Sequence, residues 1–305
     1  MKRFAAAILT IVFAGAVTAA DVVVVKPEFA SVVDPSATLE VIAGEGLQFT
    51  EGPVWVPEGG YLLFSDIQGD KICRWQPGVS GYTVWRQPSH QSNGLLLDGQ
   101  GRVICCEHQG RRLSLLFGPD SAVTLCDSYK GLRLSSPNDV ALHPDGSLWF
   151  TDPPYGLVNQ KPDLLANYVF RLNAGASEPV PVAEDFERPN GIVFSPDKKV
   201  LYVDDTQKGH VRSFRVNDGK VEPIGVFAEV PGGGPDGMCV DRSGRLYVTN
   251  REGVAVFSSE GVLLGKFLTP KPATNCCFGG SDWNTLFITT PPAVYSIRLK
   301  VAGLP

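Results

Sequence analysis

The chain has 305 residues, 43% of them hydrophobic and 19% charged, with a formal net charge of -5. That is enough sequence to bury a sizeable core, and the mild acidity without any Lys/Arg block argues against a nucleic-acid partner. The 33 Gly and 24 Pro residues point to many turns between short strands and away from a helical bundle.

The N-terminus reads as a targeting segment. Lys2 and Arg3 precede an apolar run from Phe4 to Val17 that only Thr10 interrupts, and Val17-Thr18-Ala19 and Thr18-Ala19-Ala20 offer small residues for cleavage. The run is short for a membrane span, which needs about 20 apolar residues. Residues 1–20 are therefore expected to be a signal peptide, and residues 21–305 one exported domain, periplasmic or secreted. No Cys lies near the cleavage point to carry a lipid, and nothing later is apolar enough to span a bilayer.

Next comes Thr38-Leu39-Glu40-Val41-Ile42, a strand with no neighbour in sequence. A pattern then recurs six times: a polar residue opening an apolar strand, a turn, and a second apolar strand. The copies open at Glu51, Asn93, Asn138, Asn190, Asp236 and Asn275, and their second strands are Tyr61-Phe64, Val103-Cys105, Leu148-Phe150, Val200-Val203, Leu246-Val248 and Leu286-Ile288. Turn residues such as Asp98-Gly99, Pro144-Asp145-Gly146 and Pro196-Asp197 separate the two strands. A third, more alternating strand follows in each copy, for example Lys71-Trp75 and Val294-Ile297, and a fourth in all but the last. Four-strand units at this period predict an all-β, six-bladed β-propeller with four antiparallel strands per blade. The last blade lacks a fourth strand, and Thr38-Ile42 is expected to supply it by pairing with Val294-Ile297, which closes the ring and removes two open sheet edges.

Seven Cys are present, among them the adjacent pairs Cys105-Cys106 and Cys276-Cys277, and no CxxC spacing occurs. Their apolar surroundings predict buried free thiols in place of a zinc knuckle.

Antiparallel pairing puts the start of each first strand and the end of each second strand on one face. The six opening residues thus ring the channel mouth: two carboxylates and four carboxamides, all oxygen donors, which suit a hard divalent cation such as Ca2+ or Mg2+. Asn and Asp also favour turns for their own sake, but Glu51 has no such preference. Beside them rise Asp66, Glu107-His108, Asp152-Pro153-Pro154-Tyr155, Asp204-Asp205-Thr206, Asn250-Arg251 and Thr290, and the loop from Gly156 to Asn167 is long enough for a partial lid. Asp205 is a possible general base by its loop position, and His108 is a further titratable group on that face.

The stretches Phe49-Thr50-Glu51-Gly52-Pro53-Val54-Trp55, Ser136-Pro137-Asn138-Asp139-Val140, Phe150-Thr151-Asp152-Pro153-Pro154-Tyr155-Gly156, Arg188-Pro189-Asn190-Gly191 and Pro235-Asp236-Gly237-Met238 resemble the SMP-30/gluconolactonase/LRE family, its bacterial gluconolactonase branch in particular. The resemblance implies a hydrolase acting on a lactone, a sugar lactone such as gluconolactone first among them, with one divalent metal in the channel. Ca2+ is the usual ion in that family, with Mg2+, Mn2+, Zn2+ and Fe2+ as alternatives. By resemblance Glu51, Asn190 and Asp236 are metal ligands, Asn138 is a fourth ligand or a substrate contact, and Asp236 is the first choice of base. Tyr155, His108 and Arg251 are rim positions for substrate contact. The Arg found two residues before the substrate-contacting Asn in animal members is Ser136 here.

Two other readings stay open at this point: an ester or phosphotriester hydrolase on the same site, and a non-catalytic ligand-binding propeller. The carboxylate pair Glu51/Asp236 separates enzyme from binding scaffold, since a scaffold needs no such pair. No Gly-x-Ser-x-Gly elbow or phosphate loop is present. The expected partner is a small-molecule lactone, and the expected state a monomer or small homo-oligomer.

Overall fold

The computed structural model describes residues 21–304. The expected signal peptide, residues 1–20, lies outside the described residues. Six antiparallel sheets follow one another along the chain as the blades of a propeller. The first is Thr50–Val56, Tyr61–Asp66, Lys71–Trp75 and Thr83–Arg86; the second is Ser92–Leu97, Val103–Glu107, Arg112–Leu116 and Ala122–Cys126. The third is Val140–Leu142, Leu148–Asp152, Asn167–Leu172 and Val180–Phe186; the fourth is Pro189–Phe194, Val200–Asp205, His210–Asn217 and Lys220–Glu229. The fifth contains Met238–Val240, Leu246–Asn250, Gly253–Phe257 and Leu263–Leu268; the sixth contains Asn275–Gly279, Thr285–Thr290 and Ala293–Arg298.

The ring closes as the sequence predicts. Glu40–Ala43 is the outer strand of the sixth blade, with Glu40 opposite Ser296, Val41 opposite Tyr295 and Ala43 opposite Val294. The N-terminal segment does more than this. Val22–Val24 pairs with Leu263–Leu268 as a fifth strand on blade five, Val22 opposite Phe267. Its valines follow closely on the expected leader in sequence, which hides them as a strand. A short 3-10 turn, Pro27–Ser31, then buries Phe29 against Phe267, ring centroids 5.4 Å apart. Gly265 makes that possible, because a Cβ there would lie 2.1 Å from the Phe29 ring.

The core lies between blades. Trp149 is fully buried and meets Phe194 of the next blade edge-on at 5.5 Å, its indole N–H donating to Ser147 Oγ at 2.9 Å. Trp55 stacks on Phe287 across the first and last blades at 5.5 Å. Full burial of such a side chain contributes on the order of 2–3 kcal/mol. Near the channel the blades are joined by hydroxyls on second strands that donate to backbone carbonyls of the next blade: Ser65 to Asn93 O at 2.8 Å, Thr151 to Asn190 O at 2.7 Å, and Thr249 to Thr274 O at 3.0 Å. All seven Cys are unbridged and five are buried. Among the described residues no helix is long and apolar enough to cross a membrane.

Candidate active site

The blade mouths are where strand pairing is irregular. The register slips between Glu51 and Val54 in blade one, between Ser92 and Leu95 in blade two, and between Pro189 and Ile192 in blade four. A bulge re-aims the residues it contains, and here they include Glu51, Asn93 and Asn190. The glycine that follows lets the adjacent blade close in: a Cβ at Gly52 would lie 2.0 Å from Asn93 O, and one at Gly191 would lie 2.3 Å from Asp236 O. The recurrent Asn-Gly pair is thus a packing device and a site device together. Glu51, Asn93, Asn138, Asn190 and Asn275 are buried, and Asp236 is half-buried.

Both ring carboxyls are pushed toward the protonated form. Burial, with Asp139 nearby, pushes the Glu51 carboxyl up to about 8 although it accepts the Gly52 N–H at 2.9 Å. Burial and the charge of Glu51 hold Asp236 well above the ordinary carboxylate range. Neither has a Lys or Arg among the groups that act on it.

The four carboxamides are not equivalent. Asn190 donates from Nδ2 to Thr206 Oγ1 at 3.0 Å and also faces Asp236, while its Oδ1 is buried with no hydrogen-bond partner. Asn275 spends Oδ1 on the Cys276 N–H at 2.8 Å, and its side chain faces Glu51. Asn93 Nδ2 sits 3.1 Å from His108 Nε2, with Oδ1 buried and unpartnered. Asn138 carries the blade contact through its backbone, accepting the Gly94 N–H and donating to Thr151 O, both at 2.9 Å.

The remaining predicted residues are dispersed. His108 is buried behind Asn93, and burial lowers its imidazole to about 4, so it is neutral at ordinary pH. Tyr155 is on the rim, 39% exposed, with the Arg188 guanidinium 5.7 Å from its ring centre and its hydroxyl facing Thr206. Arg251 is exposed and lies against Gly234, two residues before Asp236. Asp205 does not face the channel. Its carboxylate accepts the N–H groups of Glu187, Arg188, Gln207 and Lys208 at 2.8 to 3.2 Å, which ties the loop before the fourth blade to the loop after its second strand. Asp66 plays the same part in blade one with Gln48 and Phe49, and Asp152 in blade three with Ser135. A carboxylate so occupied is not free to take a proton from water, and its loop position alone misleads.

Sequence reasoning placed Asp204 and Thr206 beside the ring and quoted Asp139 and Arg188 within motifs, but gave none of the four a role at the site. Asp139 stands where four of the other five repeats have Gly, accepts the N–H groups of Val140 and Ile192, and is raised to about 7 by burial. Asp204 accepts the Gly191 N–H, is held well above its usual range by burial and by Asp236, and leaves Oδ1 unpartnered. Comparison of the repeats at the position after each opening residue would have singled out Asp139.

The loop from Gly156 is pinned, not loose, at its start: Ser136 Oγ donates to Pro153 O at 2.6 Å and accepts the Gly156 N–H at 2.8 Å. Arg111 then pairs with Asp163 at 2.7 Å. Beside this loop, on the mouth face, a cavity of about 590 Å³ is bordered by Leu157, Pro162, Arg188 and Gln207. A larger one of about 1150 Å³ reaches the underside of the ring at Gly52, Asp139 and Asn275.

Among the described residues no three or more His, Cys, Asp or Glu side chains group as a metal cluster. A cation at the mouth would therefore depend on the amide oxygens as well as on Glu51 and Asp236. The residues fit that demand: a buried and a half-buried carboxyl without a cationic partner, and an unpartnered buried oxygen on Asn190.

Residues 49–291 match the model of the SMP-30/Gluconolactonase/LRE-like region. The chain is 30% identical to a gluconolactonase of Zymomonas mobilis, over 91% of this chain and 86% of that protein. It is 26% identical to a pentonolactonase of Haloferax volcanii, over 83% and 85%. A solved gluconolactonase structure from Xanthomonas campestris superposes with a TM-score of 0.85 at 34% identity, covering 91% of this chain and 94% of that one. With motif, fold and channel in agreement, the chain belongs to the SMP-30/gluconolactonase/LRE-like family.

Proposed function

We propose that the protein hydrolyses a sugar lactone at the channel mouth with the help of one divalent cation, Ca2+ first among the candidates. It is a hydrolase of the lactonase type. The observation that carries the cation is the pair Glu51 and Asp236, one buried and one half-buried carboxyl in the same ring with no cationic side chain to balance them. Glu51, Asn138, Asn190 and Asp236 would hold it. When bound, such an ion polarises the lactone carbonyl and makes a nearby water more acidic.

The chain's own residues do the rest. Asp236 is the ring carboxyl with access to the mouth, and it takes the proton of the attacking water. Glu51, deeper and nearly enclosed, supplies charge and not proton transfer. Tyr155 and Arg188 stand on the rim beside the 590 Å³ cavity, where a ring hydroxyl or the product carboxylate meets them. His108 stays neutral and orients Asn93.

The relatives named for sugar lactones support the substrate class. A panel of sugar lactones, simple lactones and phosphotriesters, followed by pH-stat on chelator-treated protein with Ca2+, Mg2+, Mn2+ or Zn2+ restored, tests the reading. Sugar-lactone turnover that disappears with chelator and returns with the ion is expected. Turnover indifferent to chelator would remove the cation from the proposal. Preference for phosphotriesters would replace the substrate. Export is part of the same proposal: the first strand begins at Val22, directly after the expected cleavage point. N-terminal sequencing of the exported protein should begin near Asp21.

A further inference from the structure

We propose that Thr206 is a positioning residue: it fixes which atom of the Asn190 amide is left free for a cation in the ring. The inference rests on the reading of Asn190 as a ligand given above. The oxygen and nitrogen of a carboxamide have nearly the same shape, so the surroundings must decide which way it points. Here one hydroxyl decides. Thr206 Oγ1 has one proton to give and two lone pairs to receive with. It lies 2.8 Å from the carbonyl oxygen of Pro235, which can only accept, so the proton is used there. Toward Asn190, 3.0 Å away, the same oxygen can then only accept, and the atom it meets must be an N–H. Asn190 therefore turns Nδ2 to Thr206. Its second N–H faces Asp236, and Oδ1 is left buried and without a partner.

The remaining lone pair of Thr206 faces the Tyr155 hydroxyl. One side chain, half-buried and carrying no charge, thus joins three parts of the mouth: Asn190 on blade four, the Pro235-Asp236 entry to blade five, and the rim tyrosine in the loop after the second strand of blade three. Without the hydroxyl the amide keeps only its contact with Asp236 to hold it against rotation, and a flipped amide would present N–H groups to a cation. Removing a partner that orients a ligand typically costs about 10- to 100-fold in metal affinity.

The test compares wild type, T206V and T206S as full chains. Ca2+ is titrated by calorimetry, melting is followed without cation, and kcat and KM are measured on the best sugar lactone. T206V should lose about 10-fold or more in Ca2+ affinity, melt close to wild type without cation, and lose more in kcat than in KM. T206S, which keeps the hydroxyl, should bind Ca2+ as wild type does. Should T206V not fold, T206A provides the same affinity measurement. Unchanged affinity in T206V overturns the inference, and so does an equal loss in T206S, which would implicate the methyl group. Wild type that binds no divalent cation overturns both this inference and the cation in the proposed function.

Discussion

Thr50 and Thr290 exchange two hydrogen bonds across 240 residues of chain: Thr50 Oγ1 donates to Thr290 O at 2.6 Å and accepts the Thr290 N–H at 3.1 Å. They join the first blade to the last at the channel wall, and Thr274 Oγ1 adds a bond to Thr50 O at 2.7 Å. Replacing Thr50 with Val keeps the volume and strands buried polar groups on both sides. Thr50→Val should lose about 2 kcal/mol of stability, seen as a lower urea midpoint with an unchanged slope. A wild-type midpoint would mean that the strand Glu40–Ala43 closes the ring without this contact.

The raised Glu51 carboxyl makes the cation-free protein sensitive to pH in a defined direction. Its folded value of about 8 lies above the ordinary value of 4.5, so between the two the folded state holds a proton that the unfolded state has released. The stability from this group is complete below about pH 4.5 and falls as pH rises toward 8, by up to about 1.4 kcal/mol per unit. Glu51→Gln removes that slope. Under chelator at pH 8 the variant should melt above wild type, and added Ca2+ should raise the melting temperature of wild type only. Equal Ca2+ shifts in the two proteins would take Glu51 out of the ligand set.

Asp205 and Asp236 should part under the same substitution. Asp205→Asn weakens four backbone contacts and should cost about 1–3 kcal/mol, leaving kcat near wild type in the folded fraction. Asp236→Asn should keep the fold and lose turnover almost completely. Pairing denaturant melts with active-site-normalised rates decides it, and the reverse pattern would return Asp205 to the list of bases.

Among the carboxamides, Asn190→Ala should lose bound metal, whereas Asn275→Ala and Asn93→Ala should retain it with a modest fall in rate. Asn275 Oδ1 already serves Cys276, and Asn93 is held by His108. Metal content by elemental analysis beside lactonase rate separates the cases. Metal lost from Asn275→Ala and kept by Asn190→Ala would invert the assignment.

How much of this could be read in the chain follows from what repeats. Strand alternation and turn residues recur six times, so blades and closing strand were legible down to the pairing of Glu40–Ala43 with Ala293–Arg298. Val22–Val24 was not, because a three-residue edge strand that follows so closely on the expected leader shows no alternation and belongs to no repeat. The mouth ring was legible as positions; its chemistry was less so. Direction of a side chain is decided by bulges and by neighbours such as Thr206, far apart in sequence from the residues they orient. Asp205 shows the same limit from the other side: its counterparts Asp66 and Asp152 recur as loop staples, and that recurrence was the signal against a catalytic role.

The strand Glu40–Ala43 has a consequence for how the molecule comes into being. Its partner, Ala293–Arg298, is the last strand of the chain, and Val22–Val24 waits on Leu263–Leu268. During synthesis the first strands made leave the ribosome long before their neighbours exist. Blades one to four can form in order as they emerge, but the wheel stays open until Ala293–Arg298 has been made, with two orphaned edges exposed until then. Until that strand exists the ring cannot lock, so the earlier blades must hold together on their own inter-blade packing.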